Sequence, residues 1–458
     1  MYKKDDRLIH KNYRPVSLLS SSSKVLEKLI ESDLVECAIP SCFNPMLSAF
    51  RPGYSCQHVL VHLTDTWRDA LENKKSVGLL LLDLSKAFDC LPHSLIVAKL
   101  KAYGFSTEAT TLLANYLSYR SQRVKVGGSR SEWSSIAKGV PQGSILGPTL
   151  FNFFINDIFD FVSNGQVFNY ADDNSVLLTG DSRSGVLREM SSAGEELISW
   201  CDSNQMEANP SKFQALISGE KNTSHFIVNN TSIESSQTVK LLGVHLDNKL
   251  NFNAHVNFLI KRASRQLNCL IRISNHLDTK SKLLIYKSFI LSNFNYCVAV
   301  WHHCGDVNTS KLERIQFRAL KFVFLDFKSS YESLLERASL PTLKLSRLRT
   351  IAIEVFKAQN DLSPPFMSSM FTSSNSRYDL RNKHSLSRGH SRTSKGGLHS
   401  FKNFSASLWN SLPNHLRQTM DLKMFKTLIK KWSGDACRCN FCKSSLSFKP
   451  SHSASQMF

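Results

Sequence analysis

The sequence predicts an α+β fold, with a sheet built among helices in the first 250 residues, a mainly helical region after it, and a basic tail. Three observations predict this. Val77–Leu82 is an unbroken apolar run of strand length that ends in Asp83, as a buried strand with its acid at the C-terminal edge would read. Val167-Phe168 and Val176-Leu177-Leu178 flank Tyr170-Ala171-Asp172-Asp173, which reads as a strand, a tight polar turn and a second strand. From Val256 to about Asp361, apolar residues recur at helical spacing.

The elements follow in order. Residues 17–39 predict a helix, because the serine cluster Ser20 to Ser23 precedes Val25, Leu26, Leu29 and Ile30 at helical spacing. After a turn-like break at Ser48–Gly53, helical spacing returns from His58 to Leu71 through Val59, Leu60, Leu63, Trp67 and Ala70. The strand ending in Asp83 precedes helices over Leu91–Tyr103 and Glu108–Leu117, then an alternating stretch, Gln122–Val126, closed by Gly127-Gly128. The glycine- and proline-punctuated segment Gly139–Gly147 leads into an apolar helix over Leu150–Phe161. Beyond the acidic hairpin come a helix over Gly185–Met206 and strands over Phe213–Ile217 and Val239–Leu246. Residues 373–400, rich in Ser, Arg, His and Gly, predict a flexible basic linker.

A chain of 458 residues is long enough for two to four domains. At 42% hydrophobic content it has the composition of an ordinary globular protein. The polar N-terminal residues lack the apolar run of a signal peptide, and no apolar segment approaches a membrane span. Of the eleven cysteines, an odd number, eight are scattered without a framework, which suits reduced thiols. The expectation is therefore a nuclear or cytoplasmic protein, neither secreted nor embedded in a membrane. The net charge of +20 is unevenly spread: residues 1–247 hold 24 Lys and Arg against 26 Asp and Glu, whereas residues 248–458 hold 33 against 11. The first half is close to neutral, and the second carries the whole excess. A basic half points to a polyanionic partner, above all a nucleic acid.

Asp83 ends one strand, and Asp172 and Asp173 cap a hairpin 89 residues later. With strand and hairpin as sheet neighbours, three carboxylates converge, the donor type that two Mg²⁺ ions need for nucleotidyl transfer, with Mn²⁺ an alternative. Near the end of the chain, Cys437, Cys439 and Cys442 invite a Zn²⁺ reading with His452 as a fourth ligand. Their spacing conforms only in part to that of a zinc site, and the alternative is three reduced cysteines in a tail.

Asp83-Leu84-Ser85-Lys86-Ala87-Phe88-Asp89 resembles motif A of the reverse transcriptases of non-LTR retrotransposons. Gly139-Val140-Pro141-Gln142-Gly143-Ser144-Ile145-Leu146-Gly147-Pro148 resembles motif B, and Tyr170-Ala171-Asp172-Asp173 motif C, in the family's order and spacing. Weaker likenesses join them. Asn12–Ser17 and Phe50–Gly53 resemble fingers motifs, Asn209-Pro210-Ser211-Lys212 motif D, and Leu241-Leu242-Gly243-Val244 the primer grip. The resemblance covers roughly residues 10–250 and is looser beyond, where the chain is similar to jockey-like elements.

The resemblance implies a right-hand polymerase: partial fingers and palm over 1–250, a helical thumb-like region over 251–372, and a basic, cysteine-containing C-terminal region over 373–458. It implies Asp83, Asp172 and Asp173 as catalytic metal ligands, with the Leu84 carbonyl as a further oxygen donor. Phe88 would be the steric gate whose ring clashes with a ribose 2′-hydroxyl, although an ordinary core aromatic has the same sequence signature. Gln142 and Gly143 would line the nucleotide pocket. Arg51 would reach the triphosphate, Lys212 would give a proton to pyrophosphate, and Leu242 and Gly243 would form the primer grip; for Arg51 and Lys212 the alternative is an exposed surface cation. Asp89 reads as structural. In the basic half, Lys261, Arg262, Arg265, Lys311, Arg314, Arg318 and Lys321 would grip phosphates.

The implied reaction is RNA-templated DNA synthesis in retrotransposition, by two-Mg²⁺ transfer of deoxynucleotides to a DNA 3′-hydroxyl. The partners would be an RNA template, a DNA primer or target, and deoxynucleoside triphosphates; no protein partner is implied. The alternative is a catalytically inactive, nucleic-acid-binding remnant of such a polymerase. Phe88 and Ala171 argue against an RNA-copying RNA polymerase. Members of the family usually carry more fingers sequence and an endonuclease domain upstream, so the resemblance implies an N-terminally truncated chain.

Overall fold

The computed structural model describes Asp6, Ile9, Tyr13 and residues 16–84, 87–219, 222–372 and 385–434. The chain divides into two units, one of residues 1–54, 78–215 and 223–235 and the other of residues 55–77, 216–222 and 236–458.

The sheet of the first unit follows from its apolar runs. Strand β1 (Ser76–Asp83) buries every residue from Val77 to Leu82 and leaves Asp83 exposed, so apolar side chains occupy both of its faces. It lies in the order β2-β3-β1-β4, with β2 spanning Gln166–Tyr170, β3 Asp173–Gly180 and β4 Gln214–Ile217. The expected acidic hairpin is β2–β3, antiparallel with Tyr170 opposite Asp173. The helix Arg183–Ser203, capped by Ser182, lies so close to β1 that a Cβ on Gly78 would stand 2.6 Å from both Met190 Sδ and Val186 Cγ1. Gly78 is therefore the residue that lets helix and sheet meet.

The helix Leu146–Ile155 is buried at every residue except Pro148. Its amino end is capped from a distance: the buried Glu27 carboxylate accepts from Ile145 N at 2.5 Å and Leu146 N at 3.3 Å. Glu27 belongs to the helix Ser21–Asp33, which forms where residues 17–39 predict one, but Glu27 is its one buried residue. Val25, Leu26 and Leu29 are exposed, so the helix is anchored through its acid and its apolar stripe faces outward. A short antiparallel pair missed from sequence, β5 (His225–Val228) with β6 (Thr231–Glu234), completes the unit. The alternating stretch Gln122–Val126 is not one strand; it breaks into two-residue pieces, Ser121–Gln122 and Lys125–Val126.

In the second unit the single strand expected over Val239–Leu246 is a hairpin, β7 (Thr238–Leu241) with β8 (Val244–Asp247). Leu242 and Gly243 both take positive φ, +46° and +80°, the backbone of a two-residue turn whose twist matches paired strands. Helices follow as expected, among them Asn253–Ile273, Asp306–Phe324 and Leu343–Gln359. Buried Glu313 ties the last two: its carboxylate accepts from Leu343 N at 3.1 Å, Lys344 N at 2.8 Å and Tyr331 Oη at 2.6 Å, satisfying amide donors that a helix start leaves free.

The flexible-linker reading of 373–400 fails over its described part. Leu386 exchanges hydrogen bonds of 2.8 Å with the Asn410 side chain, and Gly389 N donates to Asn403 Oδ1 at 2.9 Å. Both asparagines sit on the helix Phe401–Ser411, whose amides pair the passing backbone that composition alone would leave to water. Residues 373–384 lie outside the described residues, as do Cys437, Cys439, Cys442 and His452. Among the described residues no helix is long and apolar enough to cross a membrane.

Candidate active site

Motif C is a turn under local control. The two residues between the strands are Ala171 and Asp172, and Ala171 takes φ +58°, a backbone region costing a non-glycine residue about 1 kcal/mol. Two buried asparagines hold it there. Asn169 Nδ2 donates to Ala171 O and to Asn174 Oδ1, both at 2.8 Å, and Asn174 Nδ2 reaches Asp172 O at 3.4 Å. Asp172 is thus presented at the tip and Asp173 at the first position of β3, where it is exposed.

Asp83 is the last residue of β1, the sheet neighbour of β3. Leu84 follows, buried, its backbone bridged to Ala208. That bridge brings the next segment to the carboxylate. Asn209 caps a short turn, Pro210–Lys212, and Lys212 Nζ stands 3.8 Å from Asp83 Oδ2. Both side chains are more than half exposed, so the pair keeps access to solvent and to a charged ligand.

Motifs A and B are fastened to each other. Val140 N donates to Phe88 O at 2.9 Å and Gly139 N to Leu91 O at 2.7 Å. Gly139 is at φ +86°, and a Cβ there would stand 2.6 Å from Asp89 O, so only glycine fits. Gln142 Nε2 donates to Asp89 Oδ1 at 2.8 Å, and Gln142 O accepts from Ser17 N at 2.8 Å. Asp89 therefore orients the Gln142 amide. Gly143, at φ +118°, passes Ser17 closely, its Cβ position 3.1 Å from Ser17 O. Phe88 is half-buried, stacked on Phe151 at 4.3 Å between centroids and edge-on to Phe50 at 6.1 Å.

Arg51 is drawn into its own loop. Its Nη1 donates to Asn44 O at 3.0 Å and Leu47 O at 2.9 Å, and the guanidinium lies 4.3 Å from the Tyr54 ring. Burial lowers its pKa, yet a guanidinium remains charged near neutrality. In the second unit, Tyr296 Oη donates to Leu242 O at 2.7 Å and its ring backs Gly243; this support for the hairpin carries no signal in the sequence. Also in that unit, Lys261, Arg262 and Arg265 are exposed on the helix Asn253–Ile273, and Lys311, Arg314 and Arg318 on Asp306–Phe324. Arg318 Nη2 reaches Asn268 Oδ1 across the two helices at 3.4 Å, and Lys321 lies over the Phe317 ring.

Among the described residues no cluster of three or more His, Cys, Asp or Glu side chains is drawn together tightly enough to hold a metal ion. The donor chemistry nevertheless fits a hard cation, with carboxylates on neighbouring strands and an Asp83 side chain 61% exposed.

Residues 2–246 match the family model for reverse transcriptase (RNA-dependent DNA polymerase). The chain is 29% identical over 327 residues to the RNA-directed DNA polymerase from mobile element jockey of Drosophila melanogaster, covering 68% of this chain and 35% of that protein. It is 26% identical to the probable RNA-directed DNA polymerase from transposon BS of the same organism, covering 68% and 36%. The chain spans about a third of the length of these curated relatives. Among solved structures, telomerase from Candida albicans in complex with a fragment of telomeric RNA aligns over 70% of this chain and 57% of that one, at 14% identity and a TM-score of 0.37, too low to bear on the fold. With more than half its length in the family model and jockey polymerases among its relatives, the chain belongs to the reverse transcriptase family, in the jockey-like group of non-LTR retrotransposons.

Proposed function

We propose that this chain catalyses RNA-templated DNA synthesis, joining deoxynucleotides to a DNA 3′-hydroxyl with release of pyrophosphate. The observation that carries the reading is the adjacency of β1, ending in Asp83, to the hairpin that presents Asp172 and Asp173, with Lys212 beside Asp83. Asp83, Asp172 and Asp173, with the Leu84 carbonyl, are the groups that would hold two Mg²⁺ ions, with Mn²⁺ usable by the same oxygen set. Bound there, the ions would lower the pKa of the 3′-hydroxyl and offset charge on the leaving pyrophosphate.

The remaining work falls to the protein's own groups. Gln142, oriented by Asp89, lines the nucleotide pocket, and the Phe88 ring excludes a ribose 2′-hydroxyl. Lys212 neutralises and protonates the leaving group. The exposed cations of the helices Asn253–Ile273 and Asp306–Phe324 contact template and primer phosphates. Leu242 and Gly243, backed by Tyr296, contact the primer.

Asp83→Asn and Asp172→Asn are each expected to abolish Mg²⁺-dependent extension of a DNA primer on an RNA template while template affinity is unchanged. Extension at the unmodified rate by either variant would refute the site. Salt-sensitive RNA binding by the unmodified chain, with no extension in Mg²⁺ or Mn²⁺, would favour the inactive-remnant reading instead.

A further inference from the structure

Between motifs A and B the chain makes an excursion that the proposed chemistry does not use. Arg120 O accepts from Ile136 N, Ser121–Gln122 pairs with Ser134–Ser135, and Lys125–Val126 pairs with Ser129–Arg130 around Gly127-Gly128. The result is a two-stranded ribbon in which every residue from 121 to 135 is exposed. Two strands alone, with no sheet face to bury, are marginally stable in water. A ribbon kept in this state has a surface open to a ligand.

Its chemistry names the ligand. Residues 119–138 contain Arg120, Arg123, Lys125, Arg130 and Lys138 against the single acid Glu132, within a half of the chain that is otherwise slightly acidic. Two exposed aromatics stand among these cations. Tyr119 is fully exposed and Trp133 is 62% exposed. Tyr119 follows the helix Thr107–Leu117 at φ +52°, in a left-handed site that glycine or asparagine ordinarily takes after a helix. Trp133 lies where the return strand carries one residue more than its partner, three between Arg130 and Ser134 against two between Gln122 and Lys125. Such a bulge re-aims side chains, and Arg123 lies over the Trp133 ring at 4.7 Å. Cations interleaved with open aromatic faces are the surface that unpaired nucleic acid needs, phosphates on the cations and bases on the rings.

We propose that the ribbon Arg120–Ile136 is a docking surface for the single-stranded RNA template before it enters the nucleotide pocket. This rests on the reading of the chain as an RNA-templated polymerase. Lys138 bridges Pro92, and Gly139 bonds Leu91, so the base of the ribbon is continuous with the Gln142 loop. In RNA-templated synthesis the unpaired strand at that pocket is template; the product leaves it already paired.

The test uses the full chain and labelled RNA–DNA hybrids that are blunt or carry a 5′ RNA overhang, read by fluorescence anisotropy without nucleotides. The unmodified chain is expected to bind the overhang hybrid about ten-fold tighter than the blunt one. Tyr119→Ala/Trp133→Ala should lose that difference while binding the blunt hybrid as before. Arg123→Gln/Arg130→Gln should lessen the salt dependence for the overhang hybrid only. Equal loss on both hybrids, no loss, or the same preference with a 3′ RNA overhang or a 5′ DNA overhang would overturn the proposal. Because binding is read without turnover, failure of the polymerase reading would appear separately, as absent extension by the unmodified chain.

Discussion

Lys212 Nζ stands 3.8 Å from Asp83 Oδ2, across the bridge that joins Leu84 to Ala208. The pair is exposed, and such pairs contribute little to stability. In the proposed reaction its value lies in placement, since a cation beside a carboxylate proposed to hold metal is where a leaving pyrophosphate would gather charge. Lys212→Met is therefore expected to lower the single-turnover extension rate by about a hundred-fold, with nucleotide affinity changed far less. Lys212→Arg keeps the charge but is a poor proton donor, so it should keep nucleotide affinity and recover little of the rate. A Lys212→Met rate equal to that of the unmodified chain would remove the lysine from the chemistry.

Asp89 and Gln142 form the second coupling, a 2.8 Å hydrogen bond between motifs A and B. Asp89→Ala frees the Gln142 amide and should raise KM for deoxynucleotides several-fold, whereas Asp89→Asn retains an acceptor oxygen and should lie close to the unmodified chain. Circular dichroism and thermal melting control for fold. Equal kinetics for Asp89→Ala and the unmodified chain would mean that Gln142 needs no partner.

The residues that present chemical groups were legible, and those that hold them were not. Asp83 announces itself because an apolar run ends in it, and Asp172-Asp173 because apolar stretches flank a polar turn. Asn169 and Asn174, which hold that turn, look like ordinary strand polar residues until their side chains are seen to bond Ala171 O and Asp172 O. Glu27 carries no signal either, since its partners are amides more than a hundred residues away. Periodicity marks the helix Ser21–Asp33 but not the face by which it packs, since Val25, Leu26 and Leu29 stay exposed, and it misled where Leu242-Gly243 interrupts a run that reads as one strand. Local pattern registers what a segment prefers; which distant acid caps it is a tertiary fact.

Phe88 has two roles to separate, packing and gating. Its ring stacks on the fully buried Phe151, so Phe88→Ala should lower stability by about 1–3 kcal/mol, less than for a fully buried ring. A gating role adds that the same variant discriminates deoxyribonucleotides from ribonucleotides at least ten-fold less well, measured as the ratio of kcat/KM values. Phe88→Tyr should keep both stability and discrimination. Lost stability with unchanged discrimination would leave Phe88 as packing alone.

Four buried or half-buried histidines are expected to make the second unit acid-sensitive. Burial holds His62 and His255 down to about 4 and places His302 and His303 well below the ordinary value of 6.5. An unfolded chain takes up protons on these rings as pH falls through 6.5, while the folded chain does not, so the stability they contribute is present above 6.5 and is lost below it. Each ring costs on the order of 1 kcal/mol per pH unit in that range. Asp65 acts in the opposite sense. Burial pushes its carboxyl up to about 6, so between about 4 and 6 the folded chain holds a proton that the unfolded chain lacks, and this contribution grows with acid. Four histidines outweigh one carboxyl, and the unfolding midpoint should fall steadily from pH 7 to pH 5. His255→Phe should make that decline shallower by about one proton's worth of slope, and Asp65→Asn should make it steeper between pH 6 and pH 4. A midpoint independent of pH over this interval would mean that these rings titrate in the folded chain as they do in water.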